Sequence, residues 1–314
     1  SSGLLASLTD TLTNLLEQAD AMVDEATLAV QAVLSPLAIP LAMSSMVASL
    51  LSQANGIWDS LTETAPQPLQ SGIASAQTTL AAGVSVPATN SDTTYADSVT
   101  TALAGVPAAI VDAITDPSSS VVAPAQQVEG DAAQIVDAQT AANILLSGAV
   151  QIGAPADTLS SVPSVPAATL ALGVVARGLI VSQLLAVWGS LSFVSGADAV
   201  AARDQFIAAL DALLVDLETA VASGVGVSLS GLWIAIHAAR TALIADCSTQ
   251  VGRLPAVVSI PLSATISAWT LAYAVAGDEV TEVQTVFDDL VGRNGIRHPA
   301  LVGPGEIQVL EQST

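Results

Sequence analysis

The chain has 314 residues, enough for about two domains with ample apolar material for a core. Hydrophobic residues reach 52% while aromatics are only 3%, so the interior has to be built from Ala, Val and Leu, which favours closely packed helices over a bulky centre. Lysine is absent, and 28 acidic residues against 6 arginines give a formal charge of −22, which repels a phosphate backbone and speaks against direct nucleic-acid binding.

Leu4, Leu8, Leu12, Leu15 and Leu16, then Met22, Val23, Val30, Val33 and Leu34, recur near the helical period. Asp10, Glu17, Asp20 and Asp24 fall mostly off that stripe, which predicts one long helix over 4–34 stopped by Pro36. A second helix is predicted from Leu41 to Thr64, ended by Pro66 and Pro68. Up to residue 165 the chain alternates Pro, Ser, Thr, Ala and Gly with short apolar runs. Helices are expected there over 69–82, 92–115 and 126–149, separated by Pro87, Pro117, Pro124 and Pro155. Asp157 to Pro166 is the best linker candidate. The expected organisation is an Ala/Ser-rich extended helical region over 1–156, a linker over 157–165, and a helical body with a small C-terminal α+β module over 166–311.

Past the linker, Ser195-x-x-Asp198 has the form of a capping box. Phe206, Leu210, Leu213, Leu217 and Val221 make an apolar stripe, while Asp204, Asp211 and Glu218 recur every seven residues on a face left for solvent or a cation. Another helix is predicted over 228–245, carrying Trp233, Ile236, Leu243 and Ile244. Val257-Val258-Ser259-Ile260 reads as a short strand ahead of Pro261, able to pair with Ile307 to Leu310. Between them, Asn294-Gly295 punctuates a helix end, Pro299 forbids its continuation and Pro304-Gly305 makes a tight turn. The predicted fold class is mainly α, a multi-helix bundle with a small β element at the C-terminus.

Two stretches, 26–58 and 254–277, are uncharged and long enough to span hydrocarbon. The first contains Pro36 and Pro40, the second Pro261 with Ser259, Ser263, Thr265 and Ser267, and the apolar run from Pro166 to Val194 holds Arg177. With no Lys or Arg before Arg177, the positive-inside rule has nothing to act on, and buried helices in a soluble assembly are expected over true spans. A signal peptide is not expected, because no basic segment opens the chain. The start at Ser1 in place of Met is expected of a processed protein or a fragment.

Catalytic chemistry finds little support. The two histidines, His237 and His298, lack a nucleophile elbow or a partner cysteine; His237 with Arg240 reads as a helix-surface pair, and His298 as a turn residue whose imidazole ties its loop. Gly224-Val225-Gly226 lacks the third glycine and preceding strand of a dinucleotide loop. Asp288-Asp289 and Glu279 with Glu282 are spaced as solvent faces of a helix. A single cysteine, Cys247, excludes an intramolecular disulfide and paired-cysteine zinc sites, and is expected to be a small residue near a helix end. Trp58, Trp188, Trp233 and Trp269 are expected as core or subunit-contact anchors. The expectation is a non-enzyme with no catalytic residues, no cofactor and no metal.

The order Gly277-Asp278, a helix, then Asn294-x-Ile296-x-His298-Pro299, Val302, Gly303-Pro304-Gly305 and a β-branched strand resembles the close of LysM-like modules in phage tail proteins. More closely, it is similar to the C-terminus of the DNA-circularisation protein family of Mu-like contractile-tailed phages. Weaker similarity extends upstream through Ser195-Gly196-Ala197-Asp198, Leu232-Trp233 and Leu271-Ala272-Tyr273, covering 166–311. Where that family has Gly-Phe after His-Pro and a Pro-Gly-Gly turn, this chain has Ala300-Leu301 and Gly303-Pro304-Gly305. Nothing in residues 1–60 resembles the family's N-terminal domain. The resemblance implies a virion component at the junction of tail tube and baseplate hub, a homo-oligomer with tail symmetry whose partners are tube, hub and tape-measure proteins. Gly277, Asp278, Asn294, Ile296, His298, Pro299 and Gly305 would then be structural residues that set backbone conformation. A membrane-active helical protein and a LysM-like glycan-binding module are the rival expectations, the latter weakened by a lack of exposed aromatics for sugar stacking.

Overall fold

The structure, a computed structural model, describes residues 2–34, 40–85, 93–115, 137–153, 166–223, 229–252, 254–277 and 280–310. The expected linker at 157–165, residues 126–136 of the fifth expected helix, and Asp278 lie outside the described residues. As expected, the protein is mainly α with one small antiparallel sheet near its C-terminus. The helices are α1 (Ser2–Leu34), α2 (Pro40–Thr62), α3 (Gln67–Ala82), α4 (Thr93–Thr115), α5 (Ala138–Gly153), α6 (Pro166–Trp188), α7 (Gly196–Ala222) and α8 (Ser230–Val251). They are followed by β1 (Val257–Leu262), α9 (Ala268–Ala276), a 3₁₀ turn (Val280–Glu282), α10 (Val283–Arg293) and β2 (Gly305–Leu310).

The chain forms two compact units, one of Ser1–Leu191 with Asp204–Asp246, the other of Ser192–Arg203 with Cys247–Thr314. This division differs from the one expected around 157–165, and the reason lies in α6. From Ala171 to Trp188 nearly every side chain of this helix is buried, whichever way it points. A helix that is apolar all round has to be covered all round. Its cover comes from α1, α4 and α5, all on the N-terminal side of the expected boundary. On another flank, Gly178 faces Leu213 of α7 and Leu232 of α8.

Within the larger unit, α1 buries Leu15, Ala19, Met22, Ala26, Val30 and Val33, a repeat of three and four residues, and leaves Asp20 and Asp24 in water. Leu16, placed on the stripe by its sequence neighbours, is exposed. The helix α4 continues through Pro107, which is buried and whose ring removes one N–H from the helical ladder. In α7 the predicted stripe is buried at Phe206, Leu210, Leu213 and Leu217, but Val221 is exposed because Ala220 occupies the inward position in the last turn.

Two charged groups are buried in this unit with their partners. Arg177, inside the apolar α6, forms an ion pair with Asp216 of α7, donates from Nε to the Ala149 carbonyl at 2.7 Å and reaches the Val150 carbonyl at 3.4 Å. The charge that reads in sequence as an obstacle to a membrane span is thus neutralised by a residue on another helix. Asp246 of α8, 1% exposed, accepts from Trp188 Nε1 at 2.6 Å and from Thr11 Oγ1 at 2.9 Å. Trp188 also meets Phe206 edge-on, with ring centroids 5.3 Å apart.

The smaller unit contains a βααβ arrangement. β1 and β2 pair antiparallel with Ile260 opposite Ile307 and Val257 opposite Leu310, the pairing expected from sequence. Its core joins Ala268, Leu271, Leu290, Val302, Ile307 and Val309, with Ile260, Leu262, Phe287, Val291 and Ile296 packed around them. The strand does not stop ahead of Pro261 as expected; it continues to Leu262. Gln308 turns both backbone groups away from β1, toward Asn294, so Ser259–Gln308 is a non-hydrogen-bonded pair. The alternation makes Pro261–Glu306 another such pair, and the N–H that Pro261 lacks falls on the outer edge, where the ladder does not need it.

Candidate functional site

The residues singled out in sequence converge on the close of the βααβ unit. Helix α10 ends in a Schellman motif: Ile296 N–H donates to the Val291 carbonyl at 3.0 Å and Gly295 N–H to the Gly292 carbonyl at 3.2 Å. Gly295 takes φ +58°, which is why Asn-Gly stands here, and Ile296 then packs beside Val291 on the core. Gly295 thus joins Gly277 and Gly305 as a positive-φ glycine of this unit. Asn294 has the larger role. Its Nδ2 donates to the Leu290 carbonyl at 2.9 Å and to the Gln308 carbonyl at 2.8 Å, while Oδ1 accepts from Gln308 N–H at 2.8 Å. One side-chain amide therefore caps a helix and imitates a neighbouring strand along β2.

The remaining motif residues set the path of the loop. Pro299 offers its carbonyl to Ala268 N–H at 2.7 Å, fixing the loop against the first residue of α9, and Val302 forms a two-way bridge with Ile266. Ser267 caps α9 through Oγ, which accepts from Thr270 N–H at 3.1 Å. Gly277 ends α9 with φ +60°, and Gly305 opens β2 with φ +152°. His298 departs from expectation. It ties the turn through its carbonyl, which accepts from Leu301 N–H at 2.9 Å, while its exposed imidazole has no hydrogen bond among the described residues.

Arg293 carries the chief electrostatic feature of this unit. It meets Asp289 one turn earlier through two bonds, of 3.1 and 2.9 Å, and reaches Asp198 in the first turn of α7 at 3.7 Å. The hydrogen bond to Asp289 raises its pKa above the ordinary arginine value, opposed by burial and assisted by the charges of Asp289 and Asp198. Asp198 also closes the capping box with Ser195, its N–H on Ser195 Oγ at 3.2 Å and its carboxylate accepting from that hydroxyl at 2.7 Å.

Elsewhere the expected pairings rearrange. His237 and Arg240 do not pair: His237 packs on Trp233, with centroids 4.1 Å apart, and Arg240 binds Asp211 at 3.1 Å. Of the four tryptophans, Trp58 and Trp188 are core, whereas Trp233 and Trp269 are 44% and 48% exposed. Cys247 is fully buried, its thiol 3.7 Å from the Ala199 carbonyl. The depression lined by Asp59, Ser60, Thr62, Glu63, Gln70 and Gln77 is open; Thr62 Oγ1 donates to the Trp58 carbonyl at 2.7 Å and Gln77 Nε2 donates to Asp59 at 3.0 Å. Among the described residues, no group of three or more His, Cys, Asp or Glu side chains comes together to hold a metal.

Taken by class, this is a mainly α-helical protein with a βααβ module whose distinctive residues hold backbone. Compared with known proteins, the chain matches no protein-family model and no curated protein sequence.

Proposed function

We propose that the protein is a structural, non-enzymatic component of a phage or phage-derived tail, placed where the tube meets the baseplate hub. The reading rests on the resemblance carried by residues 277–310, and one observation supports it above others. Asn294, Ile296, Pro299 and Gly305, the residues of that resemblance, are all engaged in fixing the chain path of a βααβ unit. A module so constituted serves as a rigid attachment piece. The same reading takes the protein as a homo-oligomer following tail symmetry, in contact with tube, hub and tape-measure proteins, neither spanning a bilayer nor binding DNA. Labelling this chain in purified tails and locating it by electron microscopy tests the proposal. Signal at the tube–baseplate junction is the expected result, and absence from purified virions refutes it.

A second reading, glycan binding by the C-terminal module, gains support from a feature the sequence did not reveal. Trp269 and Tyr273 lie one helical turn apart on α9, and both are about half exposed, with Trp269 stacked on Phe287 at 4.2 Å. Sugar stacking has the aromatic surface whose absence had counted against it. Pull-down on peptidoglycan, lost on Trp269→Ala, distinguishes this reading from the first.

The membrane-active alternative rests on one run weighed from sequence, within Pro166 to Val194, and on one that was not, in α4, rather than on 26–58 and 254–277. Thr94–Ile114 and Ala168–Trp188 are long and apolar enough to cross a bilayer, yet the second is mostly buried inside the larger unit.

A further inference from the structure

In the larger unit, the outer side of α7 and α8 exposes large apolar side chains within an acidic surround. Trp233 is 44% exposed, Ile234 61% and Val215 60%, although α7 and α8 bury a full stripe on their other sides. The Arg240–Asp211 bond sets the neighbourhood. Counting two helical turns back from Arg240 and two turns on from Asp211 brings Trp233 beside Glu218, with Val215 and His237 between the two pairs. From α1, the Glu25 carboxylate lies against Gly231, where a Cβ would overlap it. Carboxylates from two helices, Glu25 of α1 and Glu218 of α7, thus border the apolar strip. The arginine at its edge, Arg240, is already paired with Asp211.

We propose that this face docks a basic amphipathic protein segment, a helix presenting apolar anchors to Trp233, Ile234 and Val215 and Arg or Lys to Glu25 and Glu218. Desolvated aromatic anchors ringed by complementary charge form the usual energetic centre of an interface. Charge decides the occupant. A second copy would bring another −22 and no lysine to the same carboxylates, and nucleic acid or an anionic lipid surface would be repelled likewise. The inference is independent of the tail reading, since any assembly could supply such a segment.

The test uses the full chain and a synthetic amphipathic helix of Leu and Arg, with a Leu and Glu counterpart as control. Fluorescence anisotropy of the labelled peptides measures binding to wild type, to Trp233→Ser/Ile234→Ser and to Glu25→Gln/Glu218→Gln, each checked for native helicity. The proposal requires that the Arg peptide bind, that the Glu peptide not bind, and that each variant weaken binding by at least about tenfold. Equal binding by the Trp233/Ile234 variant would mean diffuse charge attraction and overturn the site. So would a wild-type dimer that dissociates in that variant, which assigns the face to a second copy. Trp233-dependent flotation with phosphatidylcholine vesicles would assign it to lipid and overturn it too.

Discussion

Gly148→Ala sets tertiary packing against local propensity, with opposite signs. Gly148 lies in α5, where alanine should stabilise the helix by about 1 kcal/mol on propensity alone. In the fold, a Cβ at this position would stand 2.5 Å from Cη2 and 2.8 Å from Cζ3 of Trp58 on α2. Ordinary carbon contacts fall at about 3.5–4.0 Å, so one partner must move by about 1 Å. Trp58 is 1% exposed and has no free direction in which to swing. Overpacking of this kind costs about 1–3 kcal/mol. After subtracting the helical gain, the net effect runs from about zero to a loss of about 2 kcal/mol, a fall of up to about 8 °C in the melting transition of the larger unit. Far-UV circular dichroism with urea titration measures it. Gly56→Ala on α2 is the control: it is exposed, nothing lies within 4 Å of its Cβ, and it should stabilise by up to about 1 kcal/mol. Trp58→Phe combined with Gly148→Ala should cost less than the sum of the two. A Gly148→Ala protein more stable than wild type by the full helical gain of about 1 kcal/mol would refute the close approach of α5 to the indole.

Asn294→Ala removes three hydrogen bonds and should destabilise the βααβ unit by about 1–2 kcal/mol, with faster amide exchange at Gln308 as its local sign. Arg177→Met removes the ion pair to Asp216 and the bond to the Ala149 carbonyl; a loss of about 2–3 kcal/mol is expected by denaturant titration, below that of a fully buried pair because Asp216 keeps 31% of its side-chain surface in water. Tyr95 is buried, its hydroxyl has no partner among the described residues, and burial pushes its pKa up. A folded state that holds the phenol neutral binds more protons than the unfolded chain, so stability should fall as pH rises through about 10. Tyr95→Phe should remove that part of the alkaline loss and raise the neutral-pH melting temperature, since an unmet polar group is deleted. Gly295→Ala, at φ +58°, should cost about 1 kcal/mol in thermal melts without altering the larger unit's transition.

Much of the local structure is legible in the sequence because its causes are local. Pro36 and Pro66 lie past the ends of α1 and α2, the heptad-like spacing of Leu15, Met22 and Ala29 selects the buried side of α1, and Ser195-x-x-Asp198 starts α7. Asn294-Gly295 and the two β-branched runs likewise specify the C-terminal turn and the strand pairing, since φ > 0 and an alternating pattern admit few other solutions. What the tertiary structure alone decided are properties without a period. Because α6 is apolar on every side, nothing in it indicates which helices cover it, and its place in the larger compact unit follows from that cover. Arg177 finds Asp216 39 residues on, and Trp233 and Trp269 stand in water while Trp58 and Trp188 do not, although all four sit among Ala, Ile and Leu. Burial of a single side chain depends on what other helices bring to it, and in a chain assembled mostly from Ala, Val and Leu that information resides in the packing.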